Sequence, residues 1–251
     1  GGVRRTSVLR FPGFAVDEAS LRAAFSPRTR LVLLNTPHNP TGAVFTREQL
    51  ALVGALAAEH GAVVVADEVY EHMVFDGAHI PLSTLPGMAE RTVTISSAGK
   101  TLSFTGWKVG WVTGPAPLVA AVRSAKQFLT YVGGAPFQPA VAVGLRLPDA
   151  YFAELRDDLL LKRDVMFDGL SAAGFDAFRP NGTYFITADI SPLSREDGYA
   201  FCRSLPERCG VVAVPTSVFY EDPSRGRSVI RFSFCKRLDV LEEAATRLKA
   251  L

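Results

Sequence analysis

Three short stretches carry side chains able to do chemistry: residues 35–42 (NTPHNPTG), 67–70 (DEVY) and 96–100 (SSAGK). Further along lie Lys108, within TGWKVGW, and Arg231, within VIRFSF. Between them they offer an amine (Lys100), a carboxylate (Asp67), a phenol (Tyr70), an amide (Asn39), a hydroxyl (Ser97), a second ammonium (Lys108) and a guanidinium (Arg231). A neutral lysine amine attacks carbonyl carbon. A carboxylate keeps a neighbouring cation charged. A hydroxyl and a point charge bind phosphate, and a guanidinium fork grips a carboxylate through two parallel hydrogen bonds. Taken singly, each residue also has a plainer use. Lysines are commonly solvated surface groups, an aspartate after a strand caps a helix, and an asparagine before proline turns the chain. A tyrosine packs with its hydroxyl satisfied. An arginine in an apolar strand fits a buried salt bridge, because an unpaired charge there is costly.

The elements that must position these residues follow from periodicity. Residues 31–34 are a compact apolar run, 62–66 (AVVVA) are β-branched and apolar on both faces as a buried parallel strand is, and 92–96 (TVTIS) follow as a third strand. Thr46 precedes a helical pattern with Leu50, Leu52, Val53 and Leu56, has Glu48 and Gln49 in its first turn, and is stopped by Gly61. Residues 3–10 read as a short strand, 17–25 as a helix and 109–113 as a fourth strand. Each chemical motif therefore sits at, or just beyond, the carboxyl end of a predicted parallel strand, where open α/β sheets bind their ligands. An acid, a phenol, an amide and a lysine far apart in sequence are expected to converge there.

After Pro117 the character changes. Residues 118–130, 139–145 and 150–173 read as helices. Short strands at 184–188, 211–214 and 228–234 then mix with helices at 194–205 and 238–251. The reading is α/β, a mainly parallel sheet with flanking helices over residues 1–155, followed by a smaller α+β domain over residues 156–251.

The motifs resemble those of the fold-type I pyridoxal-phosphate-dependent aminotransferases, the superfamily of aspartate aminotransferase. They are NTPHNPTG, with Thr36 where the family has proline, then DEVY, SSAGKTLSFTGWKVGW, PNGTYF at residues 180–185 and IRFSF at residues 230–234. They come in the family's order and span nearly the whole chain. The resemblance implies pyridoxal 5′-phosphate as cofactor and an aspartate-aminotransferase-like large domain, present only in part. It implies that Lys100 bonds to the cofactor aldehyde and later carries the proton between substrate carbon and cofactor. Asp67 would pair with the ring nitrogen, and Asn39 and Tyr70 would donate to the ring's phenolate oxygen. Ser97 and Lys108 would hold the phosphate, Lys108 standing where many relatives have arginine. Arg231, with Asn39, would take the substrate carboxylate. His38 and His72 read as neighbours of the site, and Trp107 and Tyr131 as wall or core aromatics.

The longer runs look most like N-succinyldiaminopimelate aminotransferases of lysine biosynthesis, with an amino acid (glutamate) as donor and a keto acid as acceptor. The same motifs suit a kynurenine–glutamine-type transaminase or a carbon–sulfur β-lyase. An aminotransferase-like sensor domain of a transcription regulator is the non-enzyme alternative. Family members imply a homodimer.

Composition narrows the classes further. A formal charge of +2 is too weak to argue for nucleic acid or a membrane surface as partner. No apolar run reaches the roughly 18–20 residues of a membrane span. Cys202, Cys209 and Cys235, odd in number and late in the chain, fit a reduced cytoplasmic protein better than a disulfide framework. No cysteine pair has zinc-ligand spacing with histidines nearby, so no metal is expected. The chain opens inside a strand-like pattern without methionine, which leads us to expect a further N-terminal part in the natural protein.

Overall fold

The apolar runs that end in the chemical motifs are neighbouring strands. The computed structural model describes residues 2–9 and 11–251. It divides into two units: residues up to Val8 with Val16–Pro37 and Val44–Ala153, and Leu9–Ala15 with His38–Ala43 and Glu154–Leu251.

The first unit starts with α1 (Glu18–Ala24), β1 (Leu31–Asn35), α2 (Arg47–Glu59) and β2 (Val63–Asp67). It goes on through β3 (Thr92–Ser97), the single turn α3 (Ala98–Thr101), β4 (Gly110–Thr113), α4 (Ala116–Leu129) and α5 (Gln138–Gly144). The sheet order is β1-β2-β3-β4. β1, β2 and β3 run parallel, in a register that sets Asn35 beside Asp67 and Asp67 beside Ile95. The carboxyl ends are thus level across the sheet. β4 is antiparallel to β3, with Ser97 opposite Gly110, so the fourth strand is the one departure from the parallel pattern. Thr46 caps α2 in a full capping box with Gln49, which satisfies two helix donors at once. Leu50, Val53, Leu56 and Ala57 of α2 then pack with Leu34, Val64 and Ala66 of the sheet. α4 buries no residue. Leu31 and Leu33 of β1 are likewise exposed, as are Phe128, Leu129, Tyr131 and Val132.

The helix α6 (Asp149–Ala172) leads into the second unit. There β5 (Asp176–Phe178), β6 (Phe185–Asp189), α7 (Gly198–Cys209), β7 (Val214–Pro215), β8 (Val229–Ser233) and α8 (Leu238–Leu248) follow. The sheet is antiparallel in the order β5-β6-β8-β7. Phe175 meets Phe201 and Phe232 edge-on at 6.1 and 5.8 Å between ring centroids, the arrangement aromatic quadrupoles favour.

Three expectations need correction. Residues 3–9 follow an irregular path rather than a strand, and Arg10 lies outside the described residues. Alternation makes a strand only where a neighbour completes the ladder; the Leu9 carbonyl instead accepts from the Tyr220 hydroxyl at 3.2 Å. The apolar run at residues 211–214 contributes only its last residue to a strand, because the chain is still leaving the left-handed Gly210 that ends α7. β5 was not foreseen, as Asp-Ala-Phe lacks the β-branched residues that announce a strand.

Candidate active site

Asp67 closes β2 and Lys100 lies just past β3, so the parallel ladder sets both at the same end of neighbouring strands. The Asp67 main chain is fixed from the β1 side: its carbonyl accepts from Thr36 N at 3.1 Å and from Asn35 Nδ2 at 3.0 Å. Its half-buried carboxylate accepts from Val69 N at 3.3 Å. Burial pushes this carboxyl above the usual aspartate range; the Val69 N–H and the Lys100 charge oppose the shift, and the Glu68 charge adds to it. Lys100 is thus the cation that Asp67 feels.

Tyr70 is almost wholly buried. The Lys100 ammonium lies over its ring, 5.5 Å from the centroid, inside the range of a cation–π contact. Ser97 is the N-cap of α3, its hydroxyl accepting from Gly99 N at 3.2 Å. A β-carbon on Gly99 would stand 3.1 Å from Thr105 Cα, so a larger residue would push this loop away from the strand end. Lys108 is exposed and takes a left-handed backbone, φ 54°. The next residue returns to the strand end, its carbonyl accepting from Ala98 N at 3.0 Å. The strand pairing sets Gly110, two residues beyond Lys108, opposite Ser97. Within the first unit, the acid, the phenol, the amine, the hydroxyl and the second cation all belong to one strand-end neighbourhood.

The second unit assembles the remaining pair. Arg231, on β8 opposite Thr187 and Val214, donates from Nη1 to Asn39 Oδ1 at 2.7 Å. Its guanidinium lies over the rings of Phe185 and Phe219, at 4.1 and 4.9 Å, which shield it and fix its plane. The loop bearing Asn39 is seated on the PNGTYF turn: the Gly42 carbonyl accepts from Asn181 N and Gly182 N at 3.1 and 2.9 Å. Gly42 has φ 75°, and a β-carbon there would come within 2.3 Å of Pro180 Cβ. Arg163 of α6 holds the turn from behind, donating to the Pro180 carbonyl at 3.2 Å. Both Asn39–Pro40 and Thr36–Pro37 are cis. Thr36, the departure from the family pattern, is buried and accepts from Phe45 N at 3.0 Å.

The bland residues divide. His38 bonds Thr41 Oγ1 at 2.8 Å, and burial pushes its imidazole down to about 4. His72 stacks on Phe152 with centroids 4.4 Å apart. Trp107 is sandwiched between Phe104 and Phe137, each 4.7 Å away. Tyr131 is not core: it is 74% exposed, because it follows a helix with no buried face. Sequence reading missed the partners behind the site. Glu68, within DEVY, is buried against His79, and Glu71 accepts from the Ser96 hydroxyl. The one available signal was an acid in a strand end already carrying an acid.

Residues 2–248 match the family model described as aminotransferase class I and II. A probable N-succinyldiaminopimelate aminotransferase DapC of Mycobacterium tuberculosis is 50% identical over 263 aligned residues, covering 100% of this chain and 66% of that protein. A kynurenine–oxoglutarate transaminase of Dictyostelium discoideum is 40% identical, with 94% of this chain and 60% of that protein aligned. The solved N-succinyldiaminopimelate aminotransferase of M. tuberculosis superimposes with a TM-score of 0.91 at 52% identity, over 94% of this chain and 62% of that one. The chain thus spans just under two thirds of the length of these relatives. Class I and II aminotransferases use pyridoxal 5′-phosphate. The donor set fits that group: an amine for its aldehyde, a carboxylate for its ring nitrogen, a phenol for its ring oxygen, and a hydroxyl and a cation for its phosphate. By this match, the fold and the donor set, the chain belongs to the class I and II aminotransferase family.

Proposed function

We propose that the whole protein is a pyridoxal-phosphate-dependent aminotransferase that moves an amino group from glutamate to a keto acid, with the keto precursor of N-succinyldiaminopimelate as acceptor. The observation that carries this reading is Lys100 lying over Tyr70 and acting on Asp67 at neighbouring strand ends. The substrate assignment is supported by the 50% identity to the M. tuberculosis relative across the whole chain.

When bound, the cofactor supplies an electron-withdrawing ring that makes the α C–H of an attached amino acid acidic. The protein's residues do the rest. Lys100 would hold the cofactor by its aldehyde and would carry the proton taken from the substrate α-carbon. Asp67 keeps the ring nitrogen protonated, which preserves the ring's pull on electrons. Tyr70 and Asn39 donate to the ring oxygen, while Ser97 and Lys108 bind the phosphate. Arg231 would bind the substrate by its α-carboxylate.

A kynurenine-type transaminase is the second reading, favoured by the 40% identity to the D. discoideum relative. A screen of amino donors and keto acceptors on the full-length enzyme separates the two. Highest kcat/KM with succinylated diaminopimelate as donor to 2-oxoglutarate supports the first; highest kcat/KM with kynurenine as donor replaces it.

We also propose a homodimer. Its support is the exposed apolar run Phe128, Leu129, Tyr131 and Val132, the kind of contiguous patch that marks an interface. Light scattering on the full-length protein should give twice the chain mass; a monomer at micromolar concentration contradicts it.

A further inference from the structure

Behind Asp67 lies a buried carboxylate–imidazole pair. Glu68, the next residue, is 1% exposed, and both of its carboxylate oxygens are committed. Oε2 meets His79 Nε2 at 2.9 Å, and Oε1 accepts from Leu82 N at 3.0 Å. The His79 side chain is itself only 7% exposed. Glu68 N still donates to Ile95 O of β3 at 3.0 Å, so the residue belongs to the strand end that carries Asp67. One carboxylate therefore ties the strand end to both His79 and Leu82 and closes the loop that carries Tyr70.

A buried carboxylate needs a compensating partner, and the His79 imidazole is the side chain that meets Glu68. The ionisable neighbours are few. On the site side, the Lys100 charge acts on Asp67. Glu71 and Asp149 face His72, whose imidazole is pushed down by burial, with His79 also acting on it. Glu68 is the acid whose charge works against ionised Asp67, and His79 is its partner.

We propose that His79 and Glu68 form a positioning pair for the cofactor site: Glu68 fixes the Asp67–Tyr70 turn, and the His79 proton cancels the negative charge beside Asp67. This inference rests on the reading of Asp67 as the anchor of the ring nitrogen. Without His79 the buried Glu68 charge acts on Asp67 unopposed, and the anchor loses its charge at a higher pH.

The test is the pH profile of pyridoxal 5′-phosphate binding to full-length protein, followed by tryptophan fluorescence. His79→Gln keeps a donor to Glu68 but no charge. It should bind about tenfold more weakly below neutral pH, with the profile displaced upward in pH. The double variant His79→Gln with Glu68→Gln, which removes both charges, should return close to the parent profile. A merely structural role predicts no such rescue. A parent-like profile for His79→Gln, or a double variant as weak as the single, overturns the proposal. If His79→Gln does not fold, Glu68→Gln alone must bind at least as tightly as the parent in acid; weaker binding overturns it. Asp67→Asn runs alongside. If that variant matches the parent, the reading of Asp67 falls and the charge role of His79 with it. If Asp67→Asn weakens binding while His79→Gln does not, only the present inference falls.

Discussion

Across 192 positions of sequence, the Arg231 guanidinium reaches Asn39, donating from Nη1 to Oδ1 at 2.7 Å. Two aromatic rings shield the guanidinium, and a glycine-dependent turn holds the asparagine loop. This pair supplies a cation already oriented for a carboxylate. Arg231→Lys keeps the charge but loses the fork. We expect KM for both amino and keto acids to rise by about 10- to 100-fold, with kcat changed less, because the lost contact acts on bound substrate throughout. Steady-state kinetics on the full-length enzyme check this; an unchanged KM removes Arg231 from the substrate.

Asp67 should show opposite effects with and without cofactor. Its carboxyl is raised by burial, so the folded state binds a proton more readily than the unfolded chain. That contribution favours folding below the ordinary aspartate range and is lost as pH rises through the higher folded value. Above that value, burial of the charged form counts against the apo fold. Asp67→Asn should raise the apo melting temperature by a few degrees, since about 1 kcal/mol is worth roughly 2–4 °C in a chain of this size. The same variant should weaken cofactor binding. Calorimetry of the apo and loaded forms measures both, and a stabilised loaded form contradicts the assignment.

His38 should make the fold acid-sensitive. Burial holds its imidazole at about 4, so it stays neutral in the fold while the unfolded chain takes up a proton below the ordinary histidine value. The fold is unaffected above pH 6.5 and loses stability as pH falls from there to about 4, with a slope of up to one proton. Denaturant midpoints measured across that range should fall in the parent and flatten in His38→Gln. Equal slopes in the two would place the titrating group elsewhere.

Gly42 carries the asparagine loop on a backbone with φ 75°, and a β-carbon would reach 2.3 Å from Pro180 Cβ. Gly42→Ala should cost on the order of 2–4 kcal/mol, combining the left-handed penalty with overpacking. Urea unfolding at fixed pH measures it. A loss under about 0.5 kcal/mol would mean the turn shifts freely.

The level strand ends were legible because β1 and β2 are short apolar runs and β3 a short β-branched one, each followed at once by a polar motif. That juxtaposition alone places Asp67 and Lys100 on one side of the sheet. The bond from Arg231 to Asn39 was not legible as geometry, since nothing local links positions 192 residues apart. The Glu68–His79 pair was hidden for a different reason. An acid after Asp67 reads as solvent-facing until the loop folds a histidine back onto it 11 residues later. Residues 3–9 misled because alternation describes side chains, whereas a strand is made by its neighbour.

The central claim is that Lys100 is the lysine bonded to the cofactor. Borohydride reduction of the loaded full-length protein, followed by peptide mass mapping, tests it directly. We expect the pyridoxyl mass on the peptide containing Lys100, and no such adduct after Lys100→Ala. A label on Lys108 or another lysine in the parent, or an undiminished label in Lys100→Ala, would contradict the account.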